Sequence, residues 1–353
     1  MHDLLADHAA AHPHRDRGRA LARLLDHYTD TAGAADARLR ALPGRQAPDG
    51  PFASREEALA WLDREGDALV AAALAAPALG HARAAVALPG HLARYLYHGR
   101  RFGDWEKVAR SALAAAHAAG DRAAEAAAWN NLGAVLQQAR RYAEAVAALT
   151  RARDLHRQTD DPHGEAGAWN NLGLALRETG RFDEAADAHT RARRIFHRLE
   201  DPSSEVGSWR NLGLALREAG RFEEAAAALA RACGLYRQTG DMHGKAAAWH
   251  DLGVVLRRAG RVEEAVDAHT RACGLYRQTG DMHGEAGSWR NLGLALREAG
   301  RFEEAAAALA RARDLHRQWG DVRGEAQAWH GLGLALREAG RFEEAAAALA
   351  RAR

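Results

Sequence analysis

The chain has 353 residues, and 49 basic side chains against 47 acidic ones leave a formal net charge of +2. So even a balance gives no bulk electrostatic reason to expect nucleic acid or an anionic membrane as a direct partner. No run approaches the 18 or so uninterrupted apolar residues of a membrane span, and Met1-His2-Asp3 lacks the basic start and apolar core of a secretion signal, so a cytoplasmic protein is expected.

Met1 to about Ala11 reads as a short amphipathic helix. Asp16 to Leu42 reads as a longer one, with Leu21, Leu24, Leu25 and Tyr28 on one face. Pro43 to Ala53 is rich in proline and glycine and predicts a loop. Ser54-Arg55-Glu56-Glu57 is a capping box. It opens a helix through Leu59, Trp61, Leu62 and Leu69 that Pro77 and Gly80 stop. His81 to His98 and Asp104 to Ala119 predict a degenerate helix pair. The organisation expected is a helical segment over 1–80, that pair over 81–120, and six repeats over 121–353, the last one truncated.

The repeats are marked by Trp129, Trp169, Trp209, Trp249, Trp289 and Trp329, each followed three residues on by Leu-Gly, from Leu132-Gly133 to Leu332-Gly333. A fixed period in this range is the mark of a solenoid. Trp169, Leu172, Gly173 and Leu176 fall at i, i+3, i+4 and i+7, one face of a helix. Asp161 is placed to cap it, Pro162 suits its first position, and Gly180 its left-handed end. A second helix begins near Phe182, with Asp183 and Glu184 at its positive end and Ala185, Ala188, Ala192 and Ile195 on one stripe. Small residues such as Gly173, Ala185 and Ala192 let the two backbones approach, and the tryptophans are expected in the core. Each helix pair cannot bury its apolar face alone, so it must stack on its neighbours.

This pattern resembles the tetratricopeptide repeat, whose signature runs W-x2-L-G-x2-Y, then A, F, A and P. The Tyr place holds leucine here, as at Leu176. The late aromatic place holds Leu149, His189, Leu229, His269, Leu309 and Leu349, and the closing Pro is absent. The longer unit is most similar to the 40-residue subclass typified by kinesin light chain. The resemblance implies an all-α, right-handed superhelical solenoid of stacked helix-turn-helix repeats with a helical N-terminal cap. A second resemblance, carried by Met1–Leu5, Ala20–Tyr28 and Phe52–Asp63, is to the junction between winged helix and repeat sensor in bacterial NB-ARC regulators. The phosphate loop of those signalling ATPases, G-x-x-x-x-G-K-[ST], has no counterpart in the chain.

The copies are unusually alike. Asn211 to Ala232 is identical to Asn291 to Ala312, and Cys233 to Gly244 to Cys273 to Gly284. Cys233 and Cys273 stand in equivalent places on helices expected about 8–10 Å apart, too far for a disulfide, and are expected reduced and half-buried. The last helix, from about Phe342, has no later unit over its stripe of Ala345, Ala348, Leu349 and Ala352. It is expected to fray, or to associate end to end with a second chain.

Two columns recur on the other side of each tryptophan helix. The residue after Trp is Asn130, Asn170, Arg210, His250, Arg290 and His330. The residue before Leu-Gly is Asn131, Asn171, Asn211, Asp251, Asn291 and Gly331. An arginine column follows: Arg177, Arg217, Arg257, Arg297 and Arg337. The resemblance implies that this face lines a concave groove, where asparagines bond the backbone of an extended peptide. A carboxamide both donates and accepts, and guanidinium groups can fork to acidic side chains. The same residues also suit an exposed helix face that they merely solvate. The reading is a protein-interaction scaffold; the alternative is the ligand-sensing half of an NB-ARC-type regulator lacking its nucleotide-binding domain. His8, His12 and His14 cluster without a Cys or carboxylate to complete a metal site. No catalytic constellation stands out, so neither metal, cofactor nor enzymatic activity is expected.

Overall fold

The computed structural model describes residues 14–41 and 50–352. The helix expected over Met1–Ala11, most of the Pro43–Ala53 loop, and His8 and His12 lie outside them. Sixteen helices and no strand occur among the described residues. Seven belong to one contact unit, Met1–Thr179: α1 (His14–Arg40), α2 (Arg55–Ala75), α3 (Ala82–His98), α4 (Phe102–Ala119), α5 (Arg122–Gln138), α6 (Tyr142–Gln158) and α7 (Pro162–Glu178). Nine belong to a second, Gly180–Arg353: α8 (Phe182–Arg198), α9 (Pro202–Glu218), α10 (Phe222–Thr239), α11 (Met242–Arg258), α12 (Val262–Thr279), α13 (Met282–Glu298), α14 (Phe302–Trp319), α15 (Val322–Glu338) and α16 (Phe342–Arg351).

An aspartate starts each of the six tryptophan-bearing helices, whereas His81 caps α3. Asp161 Oδ1 accepts from the Gly164 N–H at 2.8 Å, and Asp121, Asp201, Asp241, Asp281 and Asp321 repeat the cap. Such a cap satisfies one of the donors left over at a helix start. The second helices have no side-chain cap. Their first turn holds a forked ion pair instead, Arg181 to Glu184 at 2.6–2.7 Å in α8, with the carboxylate near the positive end of the helix. Between helices the chain passes through one left-handed residue, such as Gly180 at φ +75°.

Within each unit, successive helices pack against one another. The Leu-Gly glycine makes this close. A Cβ at Gly133 would lie 2.4 Å from Leu149 Cγ, and at Gly293 2.5 Å from Leu309 Cγ. The residue at the late aromatic place therefore seats in the gap the glycine leaves. Leu149, Leu229 and Leu309 are fully buried there, and so is His269 beside Gly253. Leu349 of α16 seats likewise over Gly333, with Ala345 and Ala348 buried beside it.

The tryptophans depart from their expected place. All six are half-buried rather than core residues. Arginines from second helices lie over their rings, Arg153 over Trp169 at 4.6 Å, Arg193 over Trp209 at 4.0 Å and Arg313 over Trp329 at 4.5 Å. In five of the six the indole N–H goes to a glutamate one turn earlier, as in Trp209 to Glu205 at 3.0 Å; before Trp249 that place is Lys245. An indole has an apolar body and a polar edge, and this position serves both.

At the front, Ser54 caps α2 as expected, accepting from the Glu57 N–H, and Glu57 Oε2 accepts from the Ala53 N–H. The buried stripe of α1 runs from Leu25 and Tyr28 through Ala32 and Ala35 to Leu39; Leu21 and Leu24 are only half-buried. α3 continues through Pro89. Both cysteines are free and buried rather than half-buried.

Candidate ligand-binding groove

The two candidate columns meet each other between repeats. Asn171 Nδ2 donates to Asn130 Oδ1 at 3.1 Å, Arg210 Nε to Asp251 Oδ2 at 2.7 Å, and Asn291 Nδ2 to His250 Nε2 at 3.3 Å. Each bond joins the residue after one tryptophan to the residue before the next Leu-Gly. Asn131 Oδ1 instead accepts from Trp105 Nε1 at 2.7 Å. Asn170 and Asn211 are half-buried and have partners as well. Side chains expected to face a ligand thus spend part of their hydrogen-bonding capacity on holding successive helices in register.

The arginine column is largely paired with acids. Arg177 bonds Glu178 at 3.0 Å and Arg217 bonds Glu218 at 2.5 Å. Arg257 and Arg297 reach into the next repeat, to Glu298 at 2.7 Å and Glu338 at 3.3 Å. Arg337 is exposed.

Burial shapes the charges of the central rungs. It would lower the Arg210 pKa, but the Asp251 carboxylate more than offsets this and holds it above the ordinary value. The His250 imidazole is held below its ordinary pKa by burial, against the pull of Asp251. A carboxamide nitrogen can only donate, so His250 Nε2 accepts from Asn291. Its ring proton then sits on Nδ1, directed at Ser288 Oγ at 2.8 Å.

The ladder breaks at Gly331, which has no side chain to offer. Arg290 turns to the neutral Gln327 side chain instead. Beside the break lies a cavity of about 560 Å³, walled by Leu294, Leu309 and Leu334 and rimmed by Arg290, Arg297 and His330. A second cavity, of about 400 Å³, shares Arg290, Arg323 and Gln327 with it and reaches His250 and Asn291. The sequence pattern places Gly331 at the end of its column, but the leucines, Arg323 and Gln327 were not among the expected site residues. Leu294 and Leu334 do share the 40-residue period of the columns, and Gln327 stands where the earlier repeats hold Gly167, Gly207, Ala247 and Gly287; only the packing of adjacent helices shows that they meet. Trp319, outside the tryptophan period, is 56% exposed, its ring 5.0 Å from that of His283. Among the described residues no group of three or more His, Cys, Asp or Glu side chains is arranged to hold a metal ion, and no helix is long and apolar enough to cross a membrane.

Helix pairs of this period, stacked through a Leu-Gly gap, define a repeat protein. The tetratricopeptide repeat model matches residues 124–198, 204–278 and 284–353, and the chain belongs to that family. Two solved structures agree in fold. A Signal Transduction ATPase with Numerous Domains protein with a tetratricopeptide repeat sensor, from Pyrococcus horikoshii, is 14% identical with a TM-score of 0.58. The match covers 82% of this chain but only 44% of that one. Aspartyl phosphate phosphatase F from Bacillus subtilis is 12% identical with a TM-score of 0.56, over 89% of this chain and 78% of that one. A putative kinesin light chain with nearly identical TPR-like repeats, from Podosopora anserina, is 21% identical with a TM-score of 0.48, over 54% and 94%. No curated protein matches the chain.

Proposed function

We propose that the chain is a protein-interaction module that holds an extended segment of another protein along its tryptophan-bearing helices. The observation that carries this reading is the cavity at the break in the ladder. Its leucine walls and cationic rim suit an apolar side chain flanked by an acidic one. The chemistry of the columns supports it. One hydrogen bond to a neighbour leaves a carboxamide such as Asn291 with capacity for a peptide backbone. The free, buried cysteines fit a reducing compartment such as the cytoplasm.

The test puts a side chain into the cavity at Gly331, where an added Cβ would press on the tip of Leu309 at 2.9 Å. Asp251 occupies the place of Gly331 two repeats earlier and bonds Arg210, the counterpart of Arg290, so Gly331→Asp has a precedent in the same chain. Peptides selected against the parent protein should bind the variant at least about tenfold more weakly by calorimetry, a loss of about 1.4 kcal/mol. Asn171→Ala should cost less. Unchanged affinity in a Gly331→Asp protein with the parent's melting temperature would refute the reading. Asn291→Ala is a poorer probe, because Asn291 is buried against His250 and its loss also perturbs the stack.

A second reading, the sensor half of a signalling ATPase, is supported by the front segment, where Ala20–Tyr28 and Phe52–Asp63 lie on α1 and at the start of α2. Under it, the partner held in the groove carries the nucleotide switch, and the chain should co-purify with a nucleotide-binding protein.

A further inference from the structure

The repeats act as controls for one another, and one junction differs in its chemistry. Between α6 and α7, Arg153 covers the Trp169 ring at 4.6 Å and bonds Asp154 at 2.6 Å, while Trp169 Nε1 donates to Glu165 at 3.3 Å. Between α14 and α15, Arg313, Asp314, Trp329 and Glu325 repeat the set at 4.5, 2.8 and 3.2 Å. Each indole is covered by a cation, each N–H meets a carboxylate, and the acids balance the arginines.

Between α10 and α11 the corresponding places around Trp249 hold Cys233, Gly234 and Lys245. The covering arginine and both acids are gone, and an ammonium stands where the indole's carboxylate partner stands elsewhere. What remains is a cavity of about 410 Å³ lined by Arg237, Lys245, Trp249 and Arg271, with Gly234 and Gly274 at its edges. A Cβ at either glycine would meet nothing within 4 Å. Arg271 reaches back from α12 to lie over the Trp249 ring at 4.8 Å. Three cations line this space, and no residue of its lining is acidic. Burial pushes the Cys233 thiol up to about 12, so it serves as an apolar floor and not as a nucleophile.

The next junction isolates the cause. α12 carries the same Cys273-Gly274 pair, but α13 keeps Glu285 one turn before Trp289. There Arg277 Nη2 donates to Glu285 at 3.0 Å and Trp289 Nε1 donates to it at 3.1 Å. Arg237 and Lys245 are the counterparts of Arg277 and Glu285. Two cations cannot make that bond, so the junction at Trp249 is left open and positive. Guanidinium groups fork to oxyanions, and a lysine adds a mobile point charge.

We propose that this cavity binds a small multivalent oxyanion, bearing two or three phosphate or carboxylate groups, held by Arg237, Lys245 and Arg271 beside the face of Trp249. It shares no residue with the groove columns, so it stands or falls separately from the peptide reading.

The test is calorimetric titration of the full chain at low ionic strength with inorganic pyrophosphate and, separately, with citrate. One site per chain is expected for at least one of them, weakened by added salt; which anion binds identifies the phosphate or the carboxylate chemistry. Lys245→Glu recreates the Glu285 arrangement and should fold with undiminished thermal stability, yet bind about tenfold or more weakly, as expected when a charged hydrogen-bond donor becomes an acceptor. Lys245→Met should fall between the two. Absence of binding of both anions at millimolar concentration, or equal binding by the parent and Lys245→Glu, would overturn the proposal.

Discussion

The two contact units turn their chains at the same twenty-residue interval but use different residues to do it. In the first, the left-handed positions are Gly80, Arg100, Gly120, Arg140 and Asp160, with φ of +54°, +59° and +53° at the three that are not glycine. In the second, Glu200 at +53° is the one departure from glycine among the described residues, at positions running from Gly180 to Gly340. A side chain in this region costs about 1 kcal/mol that glycine avoids. The turn is nevertheless made in both units. Packing of the helices on either side therefore imposes the conformation, and glycine only lowers its cost.

That conclusion ranks three sets of substitutions. The largest effect is expected where the packing itself is challenged. Gly133→Val in the first unit and Gly293→Val in the second would drive a Cβ to within 2.4 and 2.5 Å of fully buried leucines. Each should lose about 3 kcal/mol of stability to overpacking, read by denaturant unfolding. A loss under 1 kcal/mol at either would mean that the Leu-Gly gap does not dictate the approach.

His269→Leu should come next, because it converts one variant of the same gap into another, the one occupied by Leu229 and Leu309. Burial, with smaller contributions from His250 and Arg257, holds the His269 pKa down to about 3. The folded ring stays neutral while the unfolded one takes up a proton below about pH 6.5. The stability due to the neutral ring is complete above that pH and is lost as pH falls towards 3. At pH 4.5 the leucine variant should outlast the parent by roughly 2–3 kcal/mol beyond any difference at pH 7. Melting curves with equal spacing at the two pH values would contradict it.

The smallest effect belongs to the turns. Arg140→Gly, Asp160→Gly and Glu200→Gly should each stabilise by about 1 kcal/mol, and Gly220→Ala should destabilise by a similar amount. If the three glycine variants lose stability instead, the side chains at those turns contribute more than their backbone costs.

Helix pairs, their caps and their left-handed ends were legible in the sequence because each depends on residues a few positions apart. Asp161, Pro162 and Gly180 announce one helix completely. The inward face was legible where it is made of leucine and alanine, but misread at the tryptophans. Their placement depends on arginines arriving from the preceding helix, as Arg153 does over Trp169. The candidate site was legible as columns and not as a ladder. The bond from Arg210 to Asp251 links one repeat to the next one position out of register, an offset set by how neighbouring helices lie and not by the period. Lys245 interrupts a column of glutamates running from Glu125 to Glu325, a signal absent from the expectations drawn from sequence. Its consequence emerges only once Cys233 and Gly234 are seen across the same junction.

The identity of Asn211–Ala232 and Asn291–Ala312 has a hereditary consequence. Matched stretches of coding sequence invite unequal recombination, and an exchange between these two would excise two whole repeats in frame. The product would join Arg210 to Asn291, restoring the Trp-Arg-Asn-Leu-Gly junction already present at Trp289. It would keep Gly331 and the cavity beside it but lose Lys245 and the cationic cavity at Trp249. Relatives of this gene can therefore differ in length by whole repeats, and the two cavities can be inherited separately.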